Sequence, residues 1–179
     1  PKDTIKMGMG LIPEDRRGQG LLLGKNVKEN ASLASVYANS HKGFMDFEWE
    51  KREALNYMKR LRIKTSSEKT VTRNLSGGNQ QKVVIAKWLM AKSRILIMDE
   101  PTRGIDVNAK AEIYTLMKEF VENGGSIILV SSELPEILGC SNRIMVMREG
   151  RVTGFLDESE ATEETVMQLA SKGTSGEGE

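Results

Sequence analysis

Two four-residue apolar runs, Ile95-Leu-Ile-Met98 and Ile127-Ile-Leu-Val130, bracket the clearest helical stretch in the chain. Between them Ile113, Leu116, Met117, Phe120 and Val121 fall at i, i+3, i+4, i+7 and i+8. That spacing predicts an amphipathic helix over 106–123, with Asp106 as its N-cap and Gly124 as its stop. Short apolar runs alternating with helices predict parallel strands covered on both faces, an α/β fold. Such sheets bind ligands at the carboxyl ends of their strands. The polar pairs that follow the strands therefore matter most: Glu14 and Asp15, Asp99 and Glu100, Ser131 and Ser132.

The rest of the chain supplies further elements. Residues 7–13 read as a short strand closed by Pro13, and 14–24 as a charged, glycine-punctuated loop. Helical spacing over 27–38 and 49–63, with no β alternation between them, predicts an all-helical insertion over about 25–72. Residues 77–92 predict a helix with a wide apolar face, on which Trp88 is a core residue. A short helix over 133–138, a hairpin at Arg148-Glu-Gly-Arg151 and a last amphipathic helix over 162–170 follow. His41 reads as an exposed loop residue, and 173–179 as too polar and glycine-rich to pack.

Composition narrows the chemistry. The 179 residues are 39% apolar and 28% charged, with a net charge of +1, which suits one soluble domain and argues against nucleic-acid binding. The near-neutral total hides a gradient: 157–179 hold seven acids and one Lys, so the excess positive charge lies upstream. Cys140 and His41 are each the only residue of their type. This excludes an intrachain disulfide, a cysteine metal cluster and any site that needs two histidines from one chain. No stretch approaches the length of a membrane span, and nothing reads as a signal peptide, which points to a cytoplasmic setting. A chain that opens on Pro1 rather than Met is expected to be processed or a piece.

Two features carry chemistry. In Leu75-Ser-Gly-Gly-Asn-Gln-Gln81, Ser76 can cap the helix that follows, and the free N–H groups of its first turn form an anion site that two glycines leave open. In Ile95-Leu-Ile-Met-Asp-Glu-Pro101, a buried strand delivers two acids to a rim. Asp99 can hold a hydrated Mg²⁺, and Glu100 can polarise a water for attack on a phosphoryl group. Alone, each could be an ordinary capped helix or a strand ending in solvated acids. Together, in this order and 24 residues apart from Leu75 to Asp99, they point to a nucleotide's terminal phosphate.

These two segments resemble the signature and Walker B motifs of ATP-binding-cassette ATPases, and the resemblance extends over about residues 5–170. Pro13-Glu-Asp-Arg16, Leu75–Gln81, Asp99-Glu-Pro-Thr-Arg-Gly-Ile-Asp106 and Val130-Ser-Ser-Glu-Leu-Pro-Glu136 are similar to the second cassette of the fused two-cassette ATPases of bacterial monosaccharide importers. The resemblance implies a P-loop NTPase-like parallel sheet with helices, plus an all-helical subdomain. A partial RecA-like core would occupy 1–14 and 86–157, the helical subdomain 15–85, and a C-terminal helix with an acidic tail 158–179. It implies ATP and Mg²⁺ as ligands. Ser76, Gly77, Gly78 and Gln80 would bind, in trans, the ATP held by a neighbouring cassette. Asp99 would hold Mg²⁺ through water, Glu100 would be the catalytic carboxylate, and Gly104 and Asp106 would form the D-loop. The implied partners are a second cassette (the N-terminal half of the same polypeptide), transmembrane permease subunits and, indirectly, a sugar-binding protein. The implied place is the inner face of the cell membrane.

Three departures qualify that pattern. No Gly-x₄-Gly-Lys-Ser/Thr phosphate loop is present, and Gly20-Leu-Leu-Leu-Gly-Lys-Asn26 is one residue too short and lacks the hydroxyl. The chain thus resembles a cassette cut after its phosphate loop, lacking the P-loop strand, inactive alone and prone to self-association along unpaired strand edges. Glu14 stands at the Q-loop position in place of Gln, and Ser132 at the switch position in place of His. Both substitutions favour, as an alternative, a half that binds nucleotide without turnover.

Overall fold

The computed structural model of the protein describes residues 2–41 and 44–171, without the side chains of Tyr37 and His41. The polar end beyond Ser171 and the His41 side chain, both assigned from sequence, lie outside the described residues. The chain forms two compact units, Pro1–Val130 and Ser131–Glu179.

In the first unit a short helix, α1 (Lys2–Lys6), leads into strand β1 (Met9–Ile12). Helix α2 (Val27–Ser32), the two-residue strands β2 (Ser40–His41) and β3 (Phe44–Met45), and helices α3 (Phe47–Arg60) and α4 (Gly77–Met90) follow. Strand β4 (Ile95–Asp99), helix α5 (Val107–Glu122) and strand β5 (Ser126–Val130) complete the unit. The sheet is parallel in the order β1-β4-β5, with Ile12 opposite Met98 and Met98 opposite Leu129. Ile12, Leu96 and Met98 pack with Val83, Val84, Ile113 and Met117 in one core, so α4 and α5 cover a single face.

The other face corrects the expectation of strands buried on both sides. Leu11, Ile97 and Ile128 share that face through the register. Leu11 is 48% and Ile128 54% exposed. Apolar runs of this kind are legible as strands, but what covers them is a tertiary matter.

The region expected to be all-helical contains the antiparallel pair β2–β3, with Ser40 opposite Met45. Helix α2 also stops at Ser32 rather than continuing to 38. The Ser32 and Ser35 hydroxyls donate to the carbonyls of Glu29 and Ser32 at 3.3 and 2.8 Å, which offers the backbone an alternative to the helix. The loop after β1 is more ordered than its composition suggests. Asp15 accepts the N–H groups of Arg17 and Gly18 and caps a single wide π-helical turn, Arg16–Gly20. Asn30 locks this region with one side chain. Its Oδ1 accepts from Leu22 N–H at 2.7 Å, and its amide donates to Leu22 O, Asn26 O and Thr72 Oγ1.

The second unit contains α6 (Leu134–Cys140), the antiparallel hairpin β6 (Arg143–Arg148) and β7 (Arg151–Asp157), and α7 (Glu163–Ser171). Ile144, Val146 and Val166 form its small core. No helix among the described residues is long and apolar enough to cross a membrane.

Candidate nucleotide-contacting site

Strand β4 ends at Asp99, which pairs with Val130 and is half-buried. Glu100 leaves the strand in the left-handed region, at φ +46°, and its N–H donates to Val130 O at 2.9 Å. A branched or long side chain is rarely held there unless its surroundings enforce the conformation. The enforcement is visible: Pro101 and Thr102 are buried, Arg103 N–H donates to Glu100 O, and Ile105 N–H donates to Thr102 O. Gly104, at φ +66°, completes the turn, and Asp106 caps α5 by accepting Ala109 N–H at 3.0 Å. The acids thus sit on a rigid loop at the sheet's carboxyl edge.

Ser76 is exposed at the N-cap of α4. Its hydroxyl accepts from the Asn79 side-chain amide at 2.9 Å and more weakly from Asn79 N–H at 3.5 Å. Asn79 in turn accepts Lys64 N–H at 2.8 Å, which straps the helix start to the segment after α3. The glycines have steric reasons to be there. A Cβ on Gly78 would lie 2.5 Å from that of Ala109, so this position sets how closely α4 approaches α5. A Cβ on Gly77 would lie 2.8 Å from Arg16 Nη2 and 3.2 Å from Gly104 O.

Gln80 is fully buried, donates to Thr72 O and accepts from Arg17 Nε at 3.3 Å. A side chain so placed fixes the loop after β1 to α4. The residue points inward because Thr72 and Arg17 pack against that part of the helix and take both ends of its amide.

Glu14, just beyond β1, pairs its carboxylate with the Arg103 guanidinium. Arg16 donates from Nη1 to Arg103 O at 2.8 Å and from Nη2 to Gly104 O at 3.3 Å. Burial, and then Arg17, pull the Arg16 guanidinium below its ordinary pKa, with Asp15 offsetting part of the shift. The structure therefore brings Glu14, the turn between Glu100 and Asp106, and the start of α4 into one connected set. A cavity of about 110 Å³ beside Ser76 and Asn79 is also lined by Asp106 and Glu112. Arg16, Arg103 and Asn79 were not singled out from the sequence, although each lies inside one of the quoted segments. Ser132 follows β5 by two residues and is exposed within the second unit.

The residues present suit Mg²⁺ in one mode. Among the described residues no group of three or more His, Cys, Asp and Glu could enclose a metal. A half-buried Asp99 on a strand tip matches an ion that keeps its waters and takes other ligands from phosphates.

Comparison with known proteins agrees with this geometry. The family model described as "ABC transporter" matches residues 3–103. The ribose import ATP-binding protein RbsA of Bacillus subtilis (strain 168) is 53% identical over 173 residues, covering 97% of this chain and 35% of that protein. RbsA of Oceanobacillus iheyensis is 50% identical over 177 residues, covering 99% of this chain and 36% of that protein. The chain therefore spans about a third of the length of these curated relatives. Among solved structures, cbiO1 of Clostridium perfringens, part of the ABC transporter complex cbiONQ, aligns with TM-score 0.71 at 25% identity, over 90% of this chain and 62% of its own. A nucleotide-free ATP-binding cassette from an ABC transporter aligns with TM-score 0.76 over 94% of this chain and 70% of its own, and at 16% identity it speaks for the fold alone. With a matched family model over more than half its residues and a cassette fold around the signature and acidic strand, this chain belongs to the ABC transporter family.

Proposed function

We propose that this chain is part of the ATP-hydrolysing subunit of a bacterial monosaccharide importer, contributing the signature segment, the acidic strand tip and the turn between them to paired nucleotide sites. The observation that carries this reading is the joint placement of an exposed, Ser76-capped helix start and Glu100 on a tethered turn, linked through Arg16, Arg103 and Gly104. The similarity to ribose import ATP-binding proteins supports the sugar class.

In this reading Ser76 and the N–H groups of Gly77 and Gly78 bind the γ-phosphate of ATP held by a second cassette, where the helix end favours negative charge. Asp99 holds the water shell of Mg²⁺, which when bound neutralises charge between the β- and γ-phosphates. Glu100 orients a water and accepts its proton. Gly104 and Asp106 shape the turn that carries Glu100. Permease subunits would dock on the helical region, placing the subunit at the inner face of the membrane.

Two observations favour a second reading, a half that binds nucleotide without turning it over. Glu14 is engaged with Arg103, and an acid there repels a phosphate to which a glutamine amide would donate. Ser132 likewise lacks the cationic form of a histidine.

The discriminating experiment is Glu100→Gln in the full-length subunit that carries this cassette. Turnover there should fall about a hundredfold or more, and an unchanged rate would favour the binding-only half. The 179-residue chain by itself, without a phosphate loop, should show no ATPase activity. Turnover that Asp99→Asn abolishes in the purified chain would contradict this. Self-association of the isolated chain along its unpaired strand edges is expected as well, and a strictly monomeric chain by sedimentation would count against it.

A further inference from the structure

We propose that Arg16 is a positioning residue that couples the turn carrying Glu100 to the start of the signature helix, so that the nucleotide served by Glu100 and the one touched by Gly77 sense each other. This rests on the function proposed above and adds a residue to it.

The argument is geometric. Arg16 grips two consecutive carbonyls, those of Arg103 and Gly104, with the two ends of one planar fork. Its Nη2 occupies the space a Cβ on Gly77 would take, and Gly104 O lies against the same point. One rigid group thus fills the junction between the turn and the helix, and neither can shift without displacing it. Its Nε is buried and without a partner, so the stem is held inside while the two fork bonds reach the exposed turn. The ion pair between Glu14 and Arg103 adds a second tie from the same loop to the same turn. Lysine cannot replace this arrangement, because a compact ammonium on a flexible stem lacks the planar two-pronged donor geometry.

The test uses the full-length subunit with Arg16→Met and Arg16→Lys. In nucleotide-free protein, hydrogen exchange at the Arg103 and Ile105 amides and at the Asn79 and Gln80 amides should accelerate about tenfold together, with the rest of the chain unchanged. Acceleration at the turn alone, with the helix start unaffected, overturns the coupling. During turnover, kcat should fall between about tenfold and a hundredfold, KM for ATP should stay within about twofold, and the Hill coefficient for ATP should drop to one in both variants. A loss of kcat with cooperativity retained, or one that tracks thermal stability across both variants, also overturns it. If the wild-type subunit hydrolyses no ATP, the functional reading fails, and the exchange measurement decides the coupling by itself.

Discussion

The ammonium of Lys82, only 2% exposed, meets the Glu112 carboxylate at 2.5 Å and donates to Arg62 O at 3.1 Å. The pair ties α4 to α5 one turn behind the signature. The Glu112 side chain is 36% exposed and Lys82 keeps its bond to Arg62 O, so the loss is that of a charged hydrogen bond. Glu112→Ala should therefore lower the denaturant midpoint by about 1.5–3 kcal/mol in unfolding free energy. The hydrogen bond from Lys82 holds the Glu112 carboxyl below its ordinary pKa. Its stabilisation is present above the unfolded carboxylate's pKa and lost as pH falls through the folded one. The wild-type advantage over Glu112→Ala should shrink on acidification, and an advantage independent of pH would contradict the pairing.

Gly78→Ala tests the close approach of the helices. The new methyl would meet Ala109 Cβ at 2.5 Å, so α4 and α5 must separate. Overpacking of this kind costs about 1–3 kcal/mol. The double variant with Ala109→Gly should recover most of that loss. Simple additivity in the double-mutant cycle would show that Gly78 serves another purpose.

Lys87 gives a pH dependence of the opposite origin. Burial lowers its pKa from 10.5 to about 8, although it donates to Gly20 O at 2.8 Å. Between about pH 8 and 10.5 the unfolded chain binds more protons than the folded one, so this residue's contribution to stability rises with pH across that window. Lys87→Met removes the penalty and the hydrogen bond together. Relative to wild type it should look best below pH 8 and progressively worse toward pH 10.5, as read by chemical denaturation in matched buffers.

Asn30→Ala removes five hydrogen bonds from a side chain that is 1% exposed. The amide of Leu22 and the hydroxyl of Thr72 then lose their partner inside the protein. A loss of about 2–3 kcal/mol in unfolding free energy is expected, with faster exchange at Leu22. A near-neutral effect would mean water replaces the amide freely.

Much of this architecture was legible beforehand because it depends on local pattern. The period of Ile113, Leu116, Met117 and Phe120 dictated α5, Asp106 and Ser76 served as caps, and Arg148-Glu-Gly-Arg151 turned a hairpin. The strand ending in Asp99 and Glu100 could be placed for the same reason. The bonds of Ser32 and Ser35 to the backbone were hidden, since a serine reads alike on a helix and at its end. The full burial of Gln80 was hidden as well, since which side of a helix is buried depends on what packs there.

By itself, then, the amino-acid order determined the elements, their caps and the acidic pair at the tip of a strand, because these follow from side-chain periodicity and from hydrogen bonds within a few residues. Only the tertiary structure decided that one sheet face stays open, that Gly78 spaces two helices and that Arg16 joins residues 87 and 88 positions away. Those outcomes depend on distances between segments far apart in the chain, and local pattern does not carry such distances.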